Sequence, residues 1–308
     1  VDLGGVVDVN AHMAVIDAAC TSGLGYGWTP RQSPLGSQPD RTPSVFGTHH
    51  SIANLRVLGG PIRDTEAVAR WIRLTQSPNG AFGEYPGGPA DVLNTYLAVN
   101  ALDLLGQSDF GDVSAAVAYL RACQNTDGGF GVVPGFPSDL FHSNLAVVAL
   151  HTLGASPADV AACVEYHLRA ANSDGAYGER VGTPSDVYSV YRAVGTLTLL
   201  GYRLPNEVSA IEWLRACQGS GGGFRHDFHS RESLIATYHA VAALSLLGSE
   251  PRDVEACRRW LRTCQTPEGT FSNIPGVSSG TIDEGFAAIQ SLAILEGGLD
   301  AYFAIVVS

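Results

Sequence analysis

The sequence predicts an all-α fold in which six helical hairpins stack and close into a ring. Three observations lead there. Six gap-free blocks of sixteen residues recur along the chain. Their starts lie 47, 48, 47, 47 and 48 residues apart. Each later block is preceded by a helical segment of a different character, charged on one face and apolar on the other.

The blocks are SVFGTHHSIANLRVLG from Ser44, DVLNTYLAVNALDLLG from Asp91, DLFHSNLAVVALHTLG from Asp139, DVYSVYRAVGTLTLLG from Asp186, SLIATYHAVAALSLLG from Ser233 and TIDEGFAAIQSLAILE from Thr281. Each opens on Ser, Thr or Asp, residues that cap helix N-termini, and five close on Gly, which stops helices. Their interiors are apolar on most faces, so these are the buried inner helices. The segments DTEAVARWIRLTQ, DVSAAVAYLRACQ, DVAACVEYHLRAA, NEVSAIEWLRACQ and DVEACRRWLRTCQ are amphipathic and form the outer ring. A Gly-rich loop joins outer to inner helix in each repeat. Residues 1–308 read as one toroidal domain, with a longer first-repeat loop, about 21–43, as a lid.

Composition narrows the function. The 308 residues carry a formal charge of −12, and all 18 basic residues are Arg. With no basic run, nucleic acid is excluded as the expected partner. No apolar run is long enough to cross a bilayer. The N-terminal VDLGGVVDVNAHMAV lacks the basic start of a secretory signal, so a cytoplasmic location is expected. Cys123, Cys217 and Cys264 fall at one repeat position, and Cys163 and Cys257 at another. Recurrence at packing positions marks them as small buried hydrophobes, not ligands or nucleophiles.

Chemistry is expected in the first turns of the inner helices. Position one (Ser44, Asp91, Asp139, Asp186, Ser233, Thr281) supplies caps. Position three reads Phe46, Leu93, Phe141, Tyr188, Ile235 and Asp283. Position four reads Gly47, Asn94, His142, Ser189, Ala236 and Glu284. Asp283 is a carboxylate where its equivalents are apolar or aromatic, and Thr281 already provides the cap.

The loops carry Gln-x-x-x-Gly-x-Phe at Gln76/Gly80/Phe82, Gln124/Gly128/Phe130, Gln218/Gly222/Phe224 and Gln265/Gly269/Phe271; Ala171, Gly175 and Tyr177 form a variant. This resembles the QW-type repeat of the prenyltransferase and squalene-cyclase superfamily. The resemblance implies an α/α toroid whose cavity opens at the N-terminal ends of the inner helices, with the Gln and aromatic tying neighbouring hairpins together.

It also implies two chemistries. Zinc prenyltransferases of this superfamily place Asp-x-Cys at one inner-helix opening and His at the fourth position of the next. Asp91 and His142 match that register, but Leu93 replaces the Cys. Class II terpene cyclases place Asp-x-Asp-Asp at such an opening, with the third position as proton donor. The TIDE segment falls on it, putting Asp283 at the donor position and Glu284 last, with Thr281 in place of the first Asp. Protonating an alkene needs a dry carboxylic acid, and burial beside a second carboxylate favours that state. Ring closure would bring His49 and His50 beside Asp283 to orient or reprotonate it. Phe46, Tyr96, Phe141, His142, Tyr188, Tyr191, Tyr238, Phe286 and Trp28 are the expected lining, the aromatic faces among them stabilising carbocations.

The expected function is therefore protonation-initiated cyclisation of a terpene or meroterpenoid. The substrate would be a lipophilic isoprenoid: a polyene, its epoxide or a prenyl diphosphate. No cofactor is expected, zinc belonging to the transferase alternative and magnesium to a diphosphate substrate. A diphosphate would call on Arg31, Arg41, Arg180, Arg225 or Arg231 in the mouth loops. Peripheral contact with a membrane would serve substrate uptake. A third reading is a non-catalytic toroid binding a lipophile or partner, with Asp283 and Glu284 an ordinary acidic helix start.

Overall fold

A computed structural model of the chain describes residues 3–27, 42–278 and 280–297. It holds six hairpins in chain order. An outer helix α1 (Val9–Ala19) precedes inner α2 (Val45–Leu58), and α3 (Thr65–Arg73) precedes α4 (Val92–Leu104). Then come α5 (Val113–Ala122) with α6 (Leu140–Thr152), and α7 (Val160–Arg169) with α8 (Val187–Leu199). Last are α9 (Glu207–Ala216) with α10 (Leu234–Leu246), and α11 (Val254–Thr263) with α12 (Ile282–Leu295). Each inner helix packs on the next, and α12 packs on α2, so the inner ring closes.

The capping expectation holds in all six repeats. Ser44, Asp91, Asp139, Asp186, Ser233 and Thr281 each accept the position-four backbone N–H through their side chains. Gly59, Gly106, Gly154, Gly201 and Gly248 end the first five blocks with φ between 63° and 78°. The sixth block stops one residue later than its spelling suggests, at Gly297, φ 66°.

The start of each inner helix is fixed by its own loop. The loop aromatic pairs antiparallel with the N-cap residue: Phe82 with Asp91, Phe130 with Asp139, Phe224 with Ser233, Phe271 with Thr281. The next repeat's loop then covers the first free N–H of the helix. Val45 donates to the Glu84 carbonyl (2.9 Å), Val92 to Val132 (3.0 Å), Leu140 to Glu179 (3.0 Å), Val187 to His226 (3.0 Å) and Leu234 to Asn273 (2.8 Å).

The loop Gln is a staple between repeats. Gln76 Nε2 donates to the Asp112 carbonyl (3.0 Å) while its Oε1 accepts the Asp112 N–H (2.8 Å). Gln124 does the same to Asp159, Gln218 to Asp253, and Gln265 to Asp8. In the variant repeat, Ala171 cannot do this. There the Tyr177 hydroxyl donates to Asn206 Oδ1 (2.8 Å), and Asn206 Nδ2 donates to the Gly175 carbonyl (2.9 Å). The staple is rebuilt from the other side. The loop Gly sits under the following outer helix: Gly128 has φ 92°, and a Cβ there would lie 2.0 Å from the Ala162 carbonyl oxygen.

The first repeat is regular as far as Tyr26. Cys20 pairs with Tyr26 as Gln76 does with Phe82, so Cys20 and Tyr26 occupy the Gln and aromatic places. The loop between that position and the Ser44 cap is the longer one expected at about 21–43, and most of its expected lid, residues 28–41, lies outside the described residues. All six cysteines are free, and Cys123, Cys163, Cys217, Cys257 and Cys264 are fully buried. Burial pushes each of these five thiols up to about 12. No helix among the described residues is long and apolar enough to cross a membrane.

Candidate active site at the inner-helix openings

Most inner-helix side chains are buried, but all six at position three keep free surface: Phe46, Leu93, Phe141, Tyr188, Ile235 and Asp283. Position seven lies one turn further in on the same face and reads His50, Leu97, Leu145, Arg192, His239 and Ala287. The two layers meet. The Arg192 guanidinium lies 4.6 Å from the Phe141 ring centroid and 5.8 Å from that of Tyr188. His239 packs at 4.6 Å on Tyr188, and His50 stacks at 4.1 Å on Phe46. Leu93 and Ile235 complete the partly open layer around Asp283.

Position six forms a packed aromatic belt in the wall. Phe286 contacts Tyr238 (5.4 Å), His49 (6.2 Å) and His50 (4.9 Å); His49 contacts Tyr96 (5.8 Å); Tyr238 contacts Tyr191 (6.2 Å). Tyr96, Tyr191, Tyr238 and Phe286 are only 1–4% exposed. Of the expected aromatic lining, Phe46, Phe141 and Tyr188 thus present open faces, and the other four back them. Trp28 lies outside the described residues, as do Arg31 and Arg41.

The two acidic residues do different things. Glu284 closes a capping box: its Oε2 accepts the Thr281 N–H (2.7 Å), and its Oε1 accepts the Asn273 N–H (2.9 Å) from the preceding loop. Burial raises its carboxyl above the ordinary range, the hydrogen bonds from Thr281 and Asn273 oppose this, and the Asp283 charge adds to it. Asp283 takes no part in the capping box. Its Oδ1 meets the Thr281 hydroxyl, which also reaches Glu284 Oε2 (3.0 Å).

Helices α2 and α10 flank α12 and present matching histidines. His50 Nδ1 lies 2.8 Å from the Phe46 carbonyl, and His239 Nδ1 lies 2.8 Å from the Ile235 carbonyl. A carbonyl only accepts, so Nδ1 carries the hydrogen in both rings and Nε2 is the bare nitrogen. Burial lowers the proton affinity of His50, while the Phe46 carbonyl and the nearby Asp283 charge oppose it. Burial lowers His239 to about 3, with the Arg192 charge adding. His49 points elsewhere. It is fully buried in the belt, neither ring nitrogen has a partner among the described residues, and burial holds it well below the usual range. Of the two expected histidines, His50 is the one that feels Asp283.

Arg192 and His239 were not anticipated from the sequence. The signal lies at position seven, where Arg192 and His239 stand in a series with Leu97, Leu145 and Ala287. Arg192 is 15% exposed and paired with Glu179 (2.5 Å). Glu179 also accepts the Ser189 hydroxyl (3.3 Å) and the Phe141 N–H (3.1 Å). Ser189 donates to Asp186 (2.6 Å), which lies 3.4 Å from His226. Arg180 leans on Asp139 (3.4 Å), and Arg225 covers the carbonyl end of α9 at Ala216 and Cys217, so neither is held in readiness for an anion.

The zinc arrangement does not fit these residues. Asp91 accepts from the Asn94 N–H and side-chain amide (2.8 and 3.0 Å), while His142 turns Nδ1 onto Asp139 (2.8 Å). Leu93 offers no ligand atom, and no three His, Cys, Asp or Glu side chains among the described residues gather as a metal site.

Closed rings of alternating inner and outer helices, opened at the inner N-termini, define an α/α toroid. The chain belongs to the prenyltransferase alpha-alpha toroid domain family, whose model matches residues 9–139, 39–212 and 203–298. Among solved structures it resembles protein geranylgeranyltransferase-I of Candida albicans, solved with GGPP (TM-score 0.72, 15% identity, 83% of this chain and 86% of that one). It also resembles the type II terpene cyclase MstE from Scytonema (TM-score 0.66, 16% identity, 94% and 96%). A glycosidase matches as well (TM-score 0.62, 13% identity, 95% and 96%). No curated protein sequence matches the chain. One fold thus serves several reactions, and the site must decide between them.

Proposed function

We propose that this protein is a protonation-initiated, class II terpene cyclase, with Asp283 as general acid. The observation that carries this reading is the placement of Asp283. It is the one carboxylate in the partly open layer, among Phe46, Phe141 and Tyr188 faces, outside the capping box and near His50. The likeness to a cyclase of the same architecture, a variant of which was solved with geranylgeranyl dihydroxybenzoate, supports it.

The Thr281 hydroxyl has one proton and two carboxyl neighbours. It can share that proton between the two, or accept from whichever carboxyl is protonated. Glu284 is committed to two backbone N–H groups, so we assign the catalytic proton to Asp283. The acid delivers it to a terminal alkene or epoxide. Ring closures follow as successive π bonds attack the cation, which the aromatic faces stabilise without bonding to it. Glu284 and Thr281 hold the acid in place, and His50 returns a proton from solvent. Asp91 and His142 take no part beyond the first-turn hydrogen bonds already described. The substrate class is a lipophilic polyene, its epoxide or a prenylated aromatic.

The test is turnover of squalene, 2,3-oxidosqualene and geranylgeranyl dihydroxybenzoate by the wild type and by Asp283→Asn. Cyclised product from the first and a loss of at least about a hundredfold in the second are expected. Equal rates would refute the assignment.

A further inference from the structure

We propose that His239 is the base that ends the reaction, taking the proton from the last carbocation so that the product leaves with a new double bond. This rests on the cyclase reading above and adds the residue that sets the product.

The argument is geometric. Helix α12, which carries the acid, has two neighbours in the ring, α2 and α10. Both carry a histidine at position seven, and both rings commit Nδ1 to the carbonyl of their own position-three residue at 2.8 Å. In each case the lone pair of Nε2 is free of that bond. The two sides then differ. His50 sits beside Asp283, between Phe46 and Phe286, where an imidazole serves proton return to the acid. His239 packs among Tyr188 (4.6 Å), Tyr191 (5.1 Å) and Tyr238 (5.2 Å), and the charges it feels are those of Arg192, Asp186 and His226. Of the three, the partly open Tyr188 is where a migrated cation is best held. His239 also keeps free surface, as His49 does not.

Charge explains why this ring can act as a base. Burial and the adjacent Arg192 hold His239 unprotonated, so its lone pair is present throughout the working pH range. The carboxylates on that side of the ring are engaged. Glu179 holds Arg192, and Asp186 holds Ser189 and His226. A weak base is enough, because a C–H bond next to a carbocation is strongly acidic.

The step balances. The C–H bond beside the terminal cation breaks, its electron pair becomes the new π bond, and the proton moves to Nε2. The imidazolium, disfavoured by the same burial and by Arg192, releases that proton to water. Asp283 regains from water the proton it gave to the alkene. No electrons are gained or lost, and the product is an isomer of the substrate.

The experiment compares products from wild type, His239→Gln, His239→Phe and Asp283→Asn on squalene, 2,3-oxidosqualene and geranylgeranyl dihydroxybenzoate, by mass spectrometry. His239→Phe keeps the ring packing against the three tyrosines if the Gln variant fails to fold. The expected result is slower consumption and a shift of at least tenfold from the wild-type alkene toward water-captured alcohols or other alkene isomers. An unchanged product ratio in a folded variant overturns the proposal. So does a folded variant that consumes no substrate, since that would place His239 in initiation. Retained activity in Asp283→Asn would instead overturn the acid assignment, whatever the His239 variants do.

Discussion

Gln265 and Asp8, 257 residues apart in the chain, exchange two hydrogen bonds: the Asp8 N–H to Gln265 Oε1 (2.8 Å) and Gln265 Nε2 to the Asp8 carbonyl (2.9 Å). The side chain that staples three other pairs of repeats, as Gln76, Gln124 and Gln218, here ties the last outer helix to the first. With α12 packed on α2, it closes the ring and so brings the acid helix beside His50.

Removing that closure should loosen α1 first. Gln265→Ala should lower stability by about 1–2 kcal/mol, the worth of two partly exposed hydrogen bonds. Hydrogen exchange should quicken in Val9–Ala19 more than in any inner helix. Uniform quickening over all repeats would contradict this role.

The rebuilt staple gives a second test. Asn206→Ala leaves the Tyr177 hydroxyl, on a fully buried ring, without its partner and should cost about 1–3 kcal/mol. Ala171→Gln in that background should recover part of the loss by restoring the side chain used in the other repeats. Thermal melts of the two variants decide it.

Buried histidines make the fold acid-sensitive. His12 and His167 are fully buried, and burial lowers each to about 4, with the Gly269 and Cys163 carbonyls opposing. Both are neutral in the folded and unfolded states above the ordinary histidine range. As pH falls from about 6.5 to 4, the unfolded chain binds protons that the folded one refuses, so stability drops. Each contributes a loss on the order of 3 kcal/mol by the end of that window. His167→Gln should flatten the dependence of melting temperature on pH between 7 and 4. An identical slope would contradict the assignment.

The partly exposed pair of His226 and Asp186 works in the other direction. Its hydrogen bond to Asp186 raises His226, while burial opposes this, and hydrogen bonds from His226 and Ser189 lower Asp186 against burial. The raised histidine stabilises below its ordinary value and loses that contribution as pH rises through the folded value. The lowered carboxylate loses its own as pH falls. His226→Gln should therefore cost most stability near pH 5 and little near pH 8.

The architecture was legible because the repeats spell the same local rules with few departures: a capping residue, an apolar run, a stopping Gly, and a Gln–Gly–aromatic loop. Six aligned copies turned weak local signals into one fold. Asp283 was legible for the same reason, as a departure from a series. The Glu284 capping box was readable in principle from Thr281 and Glu284 three residues apart, but adjacency made the two acids look like a pair with one role. His239 and Arg192 were hidden because histidine and arginine within a helix carry no local signature. Their meaning comes from contacts between neighbouring inner helices, Tyr188 to His239 and Phe141 to Arg192, which only the stacking of repeats creates. Tyr96, Tyr191, Tyr238 and Phe286 looked like lining because position six is close to position seven in sequence, yet on a helix it turns into the wall.

The division of labour between the two acids is the core of the account, and one comparison tests it most directly: Asp283→Asn against Glu284→Gln, in turnover of the three polyene substrates and in thermal melts. The account predicts that Asp283→Asn abolishes cyclisation, by at least about a hundredfold, with its melting temperature little changed. It predicts that Glu284→Gln melts lower, by about 1 kcal/mol of stability, while retaining cyclisation. Cyclisation at the wild-type rate in Asp283→Asn would contradict it.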